Sequence, residues 1–163
     1  MIKIIRSFIV LLSFFIFGVG AVILNFTLFP FAKFFIKGKD LLYFYSDVIH
    51  STWAWFVKLI ISFGIINLNI ENLTEIKQIK NKVIVSTHPS FIDIVILIGL
   101  IPRTTCIVKS ALAKNPILSN LVSSIFILED ETLDNMKKHT KEMLDNGLNV
   151  VIFPSGIRHR KNE

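Results

Sequence analysis

The chain has 163 residues, which is room for one compact domain and no more. Hydrophobic residues make up 52% of it and the mean hydropathy is +0.61, which is high for a domain that meets only water. The formal net charge is +6, yet no run of basic residues and no zinc-spaced cluster points to nucleic acid. An anionic membrane surface or a phosphate-bearing lipid is the better partner for such a chain.

The N-terminal segment is apolar and predicts a membrane-embedded helix. Residues 7–32 carry no charge, and a helix of that length extends about 39 Å, more than a hydrocarbon core of about 30 Å. Lysines flank the segment on both sides, so charge does not fix its orientation. A cleaved signal peptide is the alternative, with a weak site at residues 18–20, although the apolar run continues past it. Asn25 and Pro30 predict a bend or a helix end.

A second apolar stretch, residues 41–66, is interrupted by charged and polar positions and is rich in aromatic residues. Tyrosine and tryptophan prefer the headgroup layer of a bilayer, and here they are Tyr43, Tyr45, Trp53 and Trp55. We therefore expect a helix in the membrane interface that forms a hairpin with the first one. This assigns residues 1–64 to a membrane anchor and residues 65–163 to the one compact domain, with His50 as a polar position on the helix.

Beyond residue 64 the pattern predicts strands that alternate with helices. The strands are expected at residues 65–70, 82–86, 104–108, 124–128 and 148–153, and the helices at residues 90–100, 111–122 and 132–146. Such alternation predicts an α/β fold whose mostly parallel sheet is flanked by helices. The single cysteine, Cys106, falls within a strand and is expected to be buried; it cannot form an internal disulfide.

A histidine and a carboxylate stand five positions apart where a predicted strand gives way to a helix. Ser90 and Asp93 have the spacing of a capped helix start, which places His88 in the loop just before it. An imidazole oriented by a carboxylate is the smallest set of groups that can act as a general base on an alcohol. The same residues also fit a plain helix cap beside an ordinary loop histidine, and their spacing alone leaves both interpretations open.

Two further segments with cations follow predicted strand ends. Lys109 comes directly after the strand at residues 104–108, and Arg158 follows the strand at residues 148–153. Ligands gather at the carboxyl ends of parallel strands, and a guanidinium offers a planar fork for a phosphate. Each cation alone fits a solvated surface, but together with His88 they predict a phosphorylated substrate that bears a hydroxyl.

Three sequence blocks together resemble the glycerolipid acyltransferases, the family typified by lysophosphatidic acid acyltransferase. That family carries N-H-x-S-x-x-D, then a block that opens with lysine and passes through a proline, then F-P-E-G-T-R. This chain has T-H-P-S-F-I-D at residues 87–93, Lys109 leading to Pro116, and F-P-S-G-I-R at residues 153–158. The order of the blocks is the same, and the apolar N-terminus is also similar to the family.

The resemblance implies transfer of a fatty acyl group from an acyl carrier protein or coenzyme A thioester to the free hydroxyl of a lysophospholipid. Lysophosphatidic acid is the expected acceptor, in phospholipid biosynthesis. His88 would be the general base and Asp93 would orient it. The substrate would be bound by Ser90, Lys109, Gly156 and Arg158. No bound cofactor or metal is implied, and the domain is expected on the cytoplasmic face of the cytoplasmic membrane.

The blocks also depart from the family pattern. Thr87 stands in place of asparagine, Ser155 in place of glutamate and Ile157 in place of threonine. Residues 128–131 read L-E-D-E where the family has an arginine thought to grip the acceptor, and the chain stops soon after the third block. These departures support an alternative, an inactive truncated fragment or a lipid-binding membrane protein that retains the fold.

Overall fold

The computed structural model describes residues 2–87, 90–129 and 132–153, with side chains from Ser7 onward. The chain is helical up to residue 62, apart from a break at residues 36–37, and then alternates between strands and helices. The described strands form one parallel sheet. The predicted class, a parallel sheet flanked by helices and preceded by an apolar helix, is confirmed.

The N-terminal helix is continuous but contains one wider, π-helical turn. Helix α1 (Ile2–Ile23) passes through a π-helical turn (Leu24–Leu28) into α2 (Phe29–Phe35). Pro30 has no amide hydrogen for the carbonyl four residues back, and the wider turn lets the helix continue instead of ending. Within the described residues, Ser7–Phe35 is the stretch that is long and apolar enough to cross a membrane by length and composition, and it is largely unburied.

Helix α3 (Gly38–Ser62) folds back and packs against α1 through aromatic rings. The ring centroid of Phe17 lies 4.5 Å from that of Phe56 and 6.0 Å from that of Trp53. The predicted hairpin partner therefore exists, but its placement differs from the expectation. Tyr45 and Trp53 are only 3% and 6% exposed, so they lie in the protein core and not in a headgroup layer. Trp55, on the other side of α3, is 55% exposed.

The α/β part follows a short helix, α4 (Leu73–Gln78). In chain order its elements are β1 (Val83–Val85), α5 (Phe91–Leu100), β2 (Thr104–Val108), α6 (Ser110–Ala113), α7 (Ser119–Ile125), β3 (Ile127–Leu128), α8 (Leu133–Asp145) and β4 (Asn149–Ile152). The strands lie in the order β1-β4-β2-β3. Right-handed crossovers place α5, α6 and α7 on one face of this sheet and α8 on the other.

The buried core joins the N-terminal helices to the sheet. Helix α5 packs between α3 and the sheet, and most of the largest buried apolar side chains come from α2, α3, α5, α7 and the strands. At Gly99 a Cβ atom would lie 3.0 Å from the backbone of Trp53 and Ala54, so the two helices approach to backbone contact. The division of the chain after residue 64 stays a prediction, because α3 packs on α5 as well as on α1.

Three element predictions were wrong in detail. Residues 65–70 form no strand; their alternating side chains pack on the core from an irregular segment that has no strand partner among the described residues. The helix expected at residues 111–122 is split into α6 and α7 around Pro116, because proline interrupts the helical hydrogen bonds. The strand expected at residues 124–128 is reduced to β3, since α7 runs to Ile125.

Candidate active site

The first turn of α5 carries the predicted cap. The Asp93 amide donates to Ser90 Oγ at 3.3 Å, and the Ser90 amide donates to Asp93 Oδ2 at 3.0 Å. The Ser90 hydroxyl also donates to the same Oδ2 at 2.6 Å. This capping box fixes the carboxylate of Asp93 at the N-terminus of a helix, where the helix dipole stabilises negative charge.

The cap does not exclude a role in chemistry. A carboxylate can accept about four hydrogen bonds, and the two bonds from Ser90 to Oδ2 of Asp93 use only part of that capacity. A capped helix and a histidine held by Asp93 are therefore compatible arrangements. His88 and Pro89 lie outside the described residues, so the pairing of His88 with Asp93 stays a prediction.

The parallel sheet brings the predicted segments to one edge. Ile84, Val151 and Cys106 lie in one row across β1, β4 and β2, and the Ser86 amide donates to the Ile152 carbonyl at 3.1 Å. Neighbouring strands are about 4.8 Å apart, so the chain leaves β1 and β2 about 10 Å apart. Phe153, which opens the third block, leaves the sheet between them. Gly156 and Arg158 lie outside the described residues.

Lys109 stands at this edge, directly after β2. It occupies the N-cap position of α6 and its side chain is exposed. Strand β3 lies on the other side of β2, and the chain leaves it at Glu129, whose amide donates to the Val108 carbonyl at 2.8 Å. The acid at residue 129 thus lies at the end of the edge farthest from Asp93, beyond Lys109. The order along the edge is Asp93, then Phe153, then Lys109, then Glu129.

Comparison with known proteins identifies the family of this chain. A family model described as Acyltransferase matches residues 67–163, more than half of the chain and all three blocks. The chain belongs to the acyltransferase family. No match was found among the curated proteins.

One solved structure supports the fold. The acyltransferase chain is similar to the crystal structure of the 1-acyl-sn-glycerophosphate (LPA) acyltransferase PlsC from Thermotoga maritima, with a TM-score of 0.70 and 19% sequence identity. The likeness covers 100% of this chain and 66% of that protein's chain. At this identity it shows that the two share a fold. The N-terminal helices are included in the match, because the whole chain is covered.

An apolar groove lies between α1 and α3, close to the capped start of α5. It has a volume of about 330 Å³, within the usual range for ligand sites. Its lining is almost entirely apolar: Ile16, Phe17, Gly20, Ala21, Leu24, Ser51, Thr52, Trp53, Trp55 and Phe56. The ring of Phe17 lies 5.9 Å from that of Phe91, the first residue of α5. The sequence analysis did not predict this groove, although the small residues on the apolar helix α1 indicated that a groove could form there.

Two titratable residues away from this edge have structural roles. His50 Nδ1 lies 2.7 Å from the Ile98 carbonyl, so as a donor it satisfies one of the last carbonyls of α5. Burial raises the pKa of the Cys106 thiol to about 12, which makes it an unreactive core residue. Within the part of the chain that the structure describes, no three His, Cys, Asp or Glu residues lie together as a metal site.

Proposed function

We propose that this acyltransferase moves a fatty acyl group from an acyl carrier protein or coenzyme A thioester to the free hydroxyl of a lysophospholipid. Lysophosphatidic acid is the proposed acceptor and phosphatidic acid the product. The site works at the cytoplasmic face of the cytoplasmic membrane, where the Ser7–Phe35 helix anchors it.

The observation that carries the proposal is the capping box at the end of β1. It presents the Asp93 carboxylate at the sheet edge that also holds Lys109. In the proposed reaction His88 takes the proton of the acceptor hydroxyl, whose oxygen attacks the thioester carbonyl carbon. The tetrahedral intermediate then expels the thiolate, which takes the proton from the imidazolium. Asp93 stabilises that imidazolium, and amides at the start of α5 face the developing negative charge.

Substrate binding divides between the polar edge and the apolar groove. Lys109, together with Arg158, supplies positive charge for the acceptor phosphate. The groove between α1 and α3 suits a fatty chain, because its lining is apolar and Phe17 connects it to Phe91 at the start of α5. No bound metal or cofactor takes part in these steps.

The test is acyl transfer in membranes that contain the expressed chain. A labelled acyl donor is offered with a panel of lysophospholipids, and labelled phospholipid is measured. His88→Ala should lower transfer about 100- to 10,000-fold, the usual contribution of general-base catalysis. The matched control is His139→Ala, a histidine of α8 on the opposite face of the sheet, which should keep activity. Transfer undiminished in His88→Ala, or no transfer to any acceptor, would refute the proposal.

A second function, lipid binding without turnover, is favoured by one observation. Glu129 follows β3 directly beside the exit of β2, so a negative charge stands next to Lys109. Glu129→Gln separates the two functions. Under the acyltransferase proposal, removing the repulsion should lower the KM for an anionic acceptor; a chain that binds lipid without turnover should show no transfer in either form.

A further inference from the structure

The end of α6 and the loop that leads to α7, residues 112–117, present apolar side chains beside positive charge, and the proposed reaction does not use these residues. Leu112 and Ile117 are 38% and 49% exposed. Lys114 is exposed between them, and Lys109 precedes them at the sheet edge. Apolar residues with flanking lysines are typical of a segment that meets the surface of an anionic membrane.

The backbone amides of this segment are hydrogen-bonded within the protein and do not require water as an acceptor. The amide hydrogens of residues 114–118 are all donated to acceptors within residues 110–115, and the donors are Lys114, Asn115, Ile117 and Leu118. Pro116 has no amide hydrogen to satisfy. Unsatisfied backbone donors are what makes an irregular segment costly to remove from water. The segment can therefore enter a membrane interface without leaving donors unpaired.

The segment is also tied to the apolar N-terminal helix through Asn25, which is fully buried in the π-helical turn. Asn25 Nδ2 donates to the Pro116 carbonyl at 3.1 Å, and Asn25 Oδ1 accepts from the Leu121 amide at 3.0 Å. Asn120 Nδ2 donates to the Asn25 carbonyl at 3.1 Å. Phe26, next to Asn25, is 57% exposed, so the turn that holds the segment also presents an apolar side chain on the surface.

We propose that residues 112–117 form a second membrane contact, which binds the interface of an anionic bilayer. Asn25 holds this contact at a fixed position relative to α1. The charge of Lys114 complements anionic headgroups, and hydrogen bonds of Asn25 tie the segment to the apolar helix that is the proposed anchor. The inference rests on the membrane anchor of the proposed function but not on acyl transfer itself.

The position of the segment can be read with a fluorescent label. Native Cys106 is buried and its pKa is raised to about 12, so Ile117→Cys supplies the reactive thiol for a polarity-sensitive dye. The full chain is reconstituted in vesicles of phosphatidylcholine and phosphatidylglycerol, with nitroxide quenchers on headgroups or deep in the acyl chains. The expected result is a blue-shifted emission that headgroup quenchers diminish more than deep quenchers do. The matched control is Lys138→Cys on α8, whose label should emit as in water.

The role of Asn25 is tested by adding Asn25→Leu to the labelled chain. The substitution keeps a similar volume but removes the two side-chain bonds to residues 116 and 121, so headgroup quenching at residue 117 should fall. Ser13→Ala is the control. Ser13 is also a buried polar residue of the N-terminal helix, but its hydroxyl donates to the Ile9 carbonyl within α1, so its loss should leave the quenching unchanged.

The outcomes separate this inference from the proposed function. A label at residue 117 that emits as in water, on protein that sediments with the vesicles and transfers acyl groups, overturns the inference alone. A label that becomes shielded only when acyl carrier protein is added also overturns it, because the surface then binds protein. Interfacial emission in a chain without transfer supports the inference and contradicts the proposed function.

Discussion

The Asp93 carboxylate accepts two bonds from Ser90 on one oxygen, and variants of these two residues can separate its structural use from its proposed chemical use. Ser90→Ala removes the hydroxyl bonds but keeps the carboxylate. Loss of an N-cap costs about 1 kcal/mol of stability, so unfolding should occur earlier while acyl transfer falls modestly. Asp93→Asn keeps the side-chain shape but removes the charge that stabilises an imidazolium, so transfer should fall far more than stability.

The measurement is kcat beside a denaturant midpoint for both variants. Asp134→Asn is the control, because Asp134 also stands in the first turn of a capped helix, α8, which follows β3 at the opposite end of the sheet from β1. Equal losses of activity in Ser90→Ala and Asp93→Asn, each in proportion to lost stability, would reduce Asp93 to a helix cap.

Cys106 gives a prediction of pH dependence. Burial raises the pKa of its thiol to about 12, while an unfolded cysteine ionises near 8.5. The folded chain keeps the proton longer, so this stabilisation is complete below about pH 8.5 and declines as the pH rises toward 12. Compared with Cys106→Ala, the wild-type chain should lose about tenfold in its folding equilibrium per pH unit above 8.5. A constant difference between pH 8 and 10 would contradict the burial of the thiol.

Single residues were predictable where their partners are close in sequence. Ser90 and Asp93 are three positions apart, so the capping box could be foreseen from spacing alone. Asn25 and Asn149 could not, since their partners lie far along the chain. Asn149 accepts from the Lys82 amide and donates to the carbonyls of Ile79 and Pro102, so its amide joins the starts of β1 and β2. Nothing in the sequence near residue 149 indicates that network.

At the scale of elements, the contact between α3 and α5 depends on Gly99. A methyl group there would meet the backbone of Trp53 and Ala54 at 3.0 Å, and backbone atoms cannot move aside as a flexible side chain can. Gly99→Ala should therefore destabilise the protein by about 1–3 kcal/mol, the usual cost of overpacking, despite the better helix propensity of alanine. The check is thermal unfolding in detergent.

Gly18→Ala is the matched control for that experiment. Gly18 also lies within a helix, but a Cβ atom there would have nothing within 4 Å. Its replacement should be neutral or slightly stabilising, because alanine favours the helix by up to about 1 kcal/mol. If both variants unfold at the same temperature, the close approach of α3 and α5 at Gly99 is not a determinant of stability.

Elements followed from the sequence where periodicity had a single interpretation. The strand at residues 104–108 is as predicted, because a run of β-branched residues is bounded by turn signals. The alternation of apolar and polar residues at 65–70 led to a wrong strand prediction. Such alternation shows which side chains are buried and not whether a neighbouring strand supplies hydrogen bonds. The aromatic residues of α3 misled in the same way: an interfacial position and a packed core both favour them.

For the whole molecule, the apolar helix and the net charge should make separable contributions to the proposed membrane attachment. The charge of +6 attracts anionic lipid, but salt screens that attraction over about 10 Å at 0.1 M. The exposed face of α1 is apolar, with Leu11 and Phe15 70% and 67% exposed. Attachment through this face does not depend on salt, so a high-salt wash should leave the protein in the membrane fraction.

Charge placed on that face should weaken attachment. A lysine at the centre of a membrane helix costs roughly 3 kcal/mol, so Leu11→Lys with Phe15→Lys should shift much of the protein to the supernatant after alkaline extraction. Leu133→Lys is the control, since Leu133 is equally exposed, at 63%, but lies on α8 across the sheet. If the control is extracted as readily as the double variant, or if salt alone releases the wild-type chain, the helix is not the anchor. Attachment would then be electrostatic, and the acceptor would have to reach Asp93 through water and not from the bilayer.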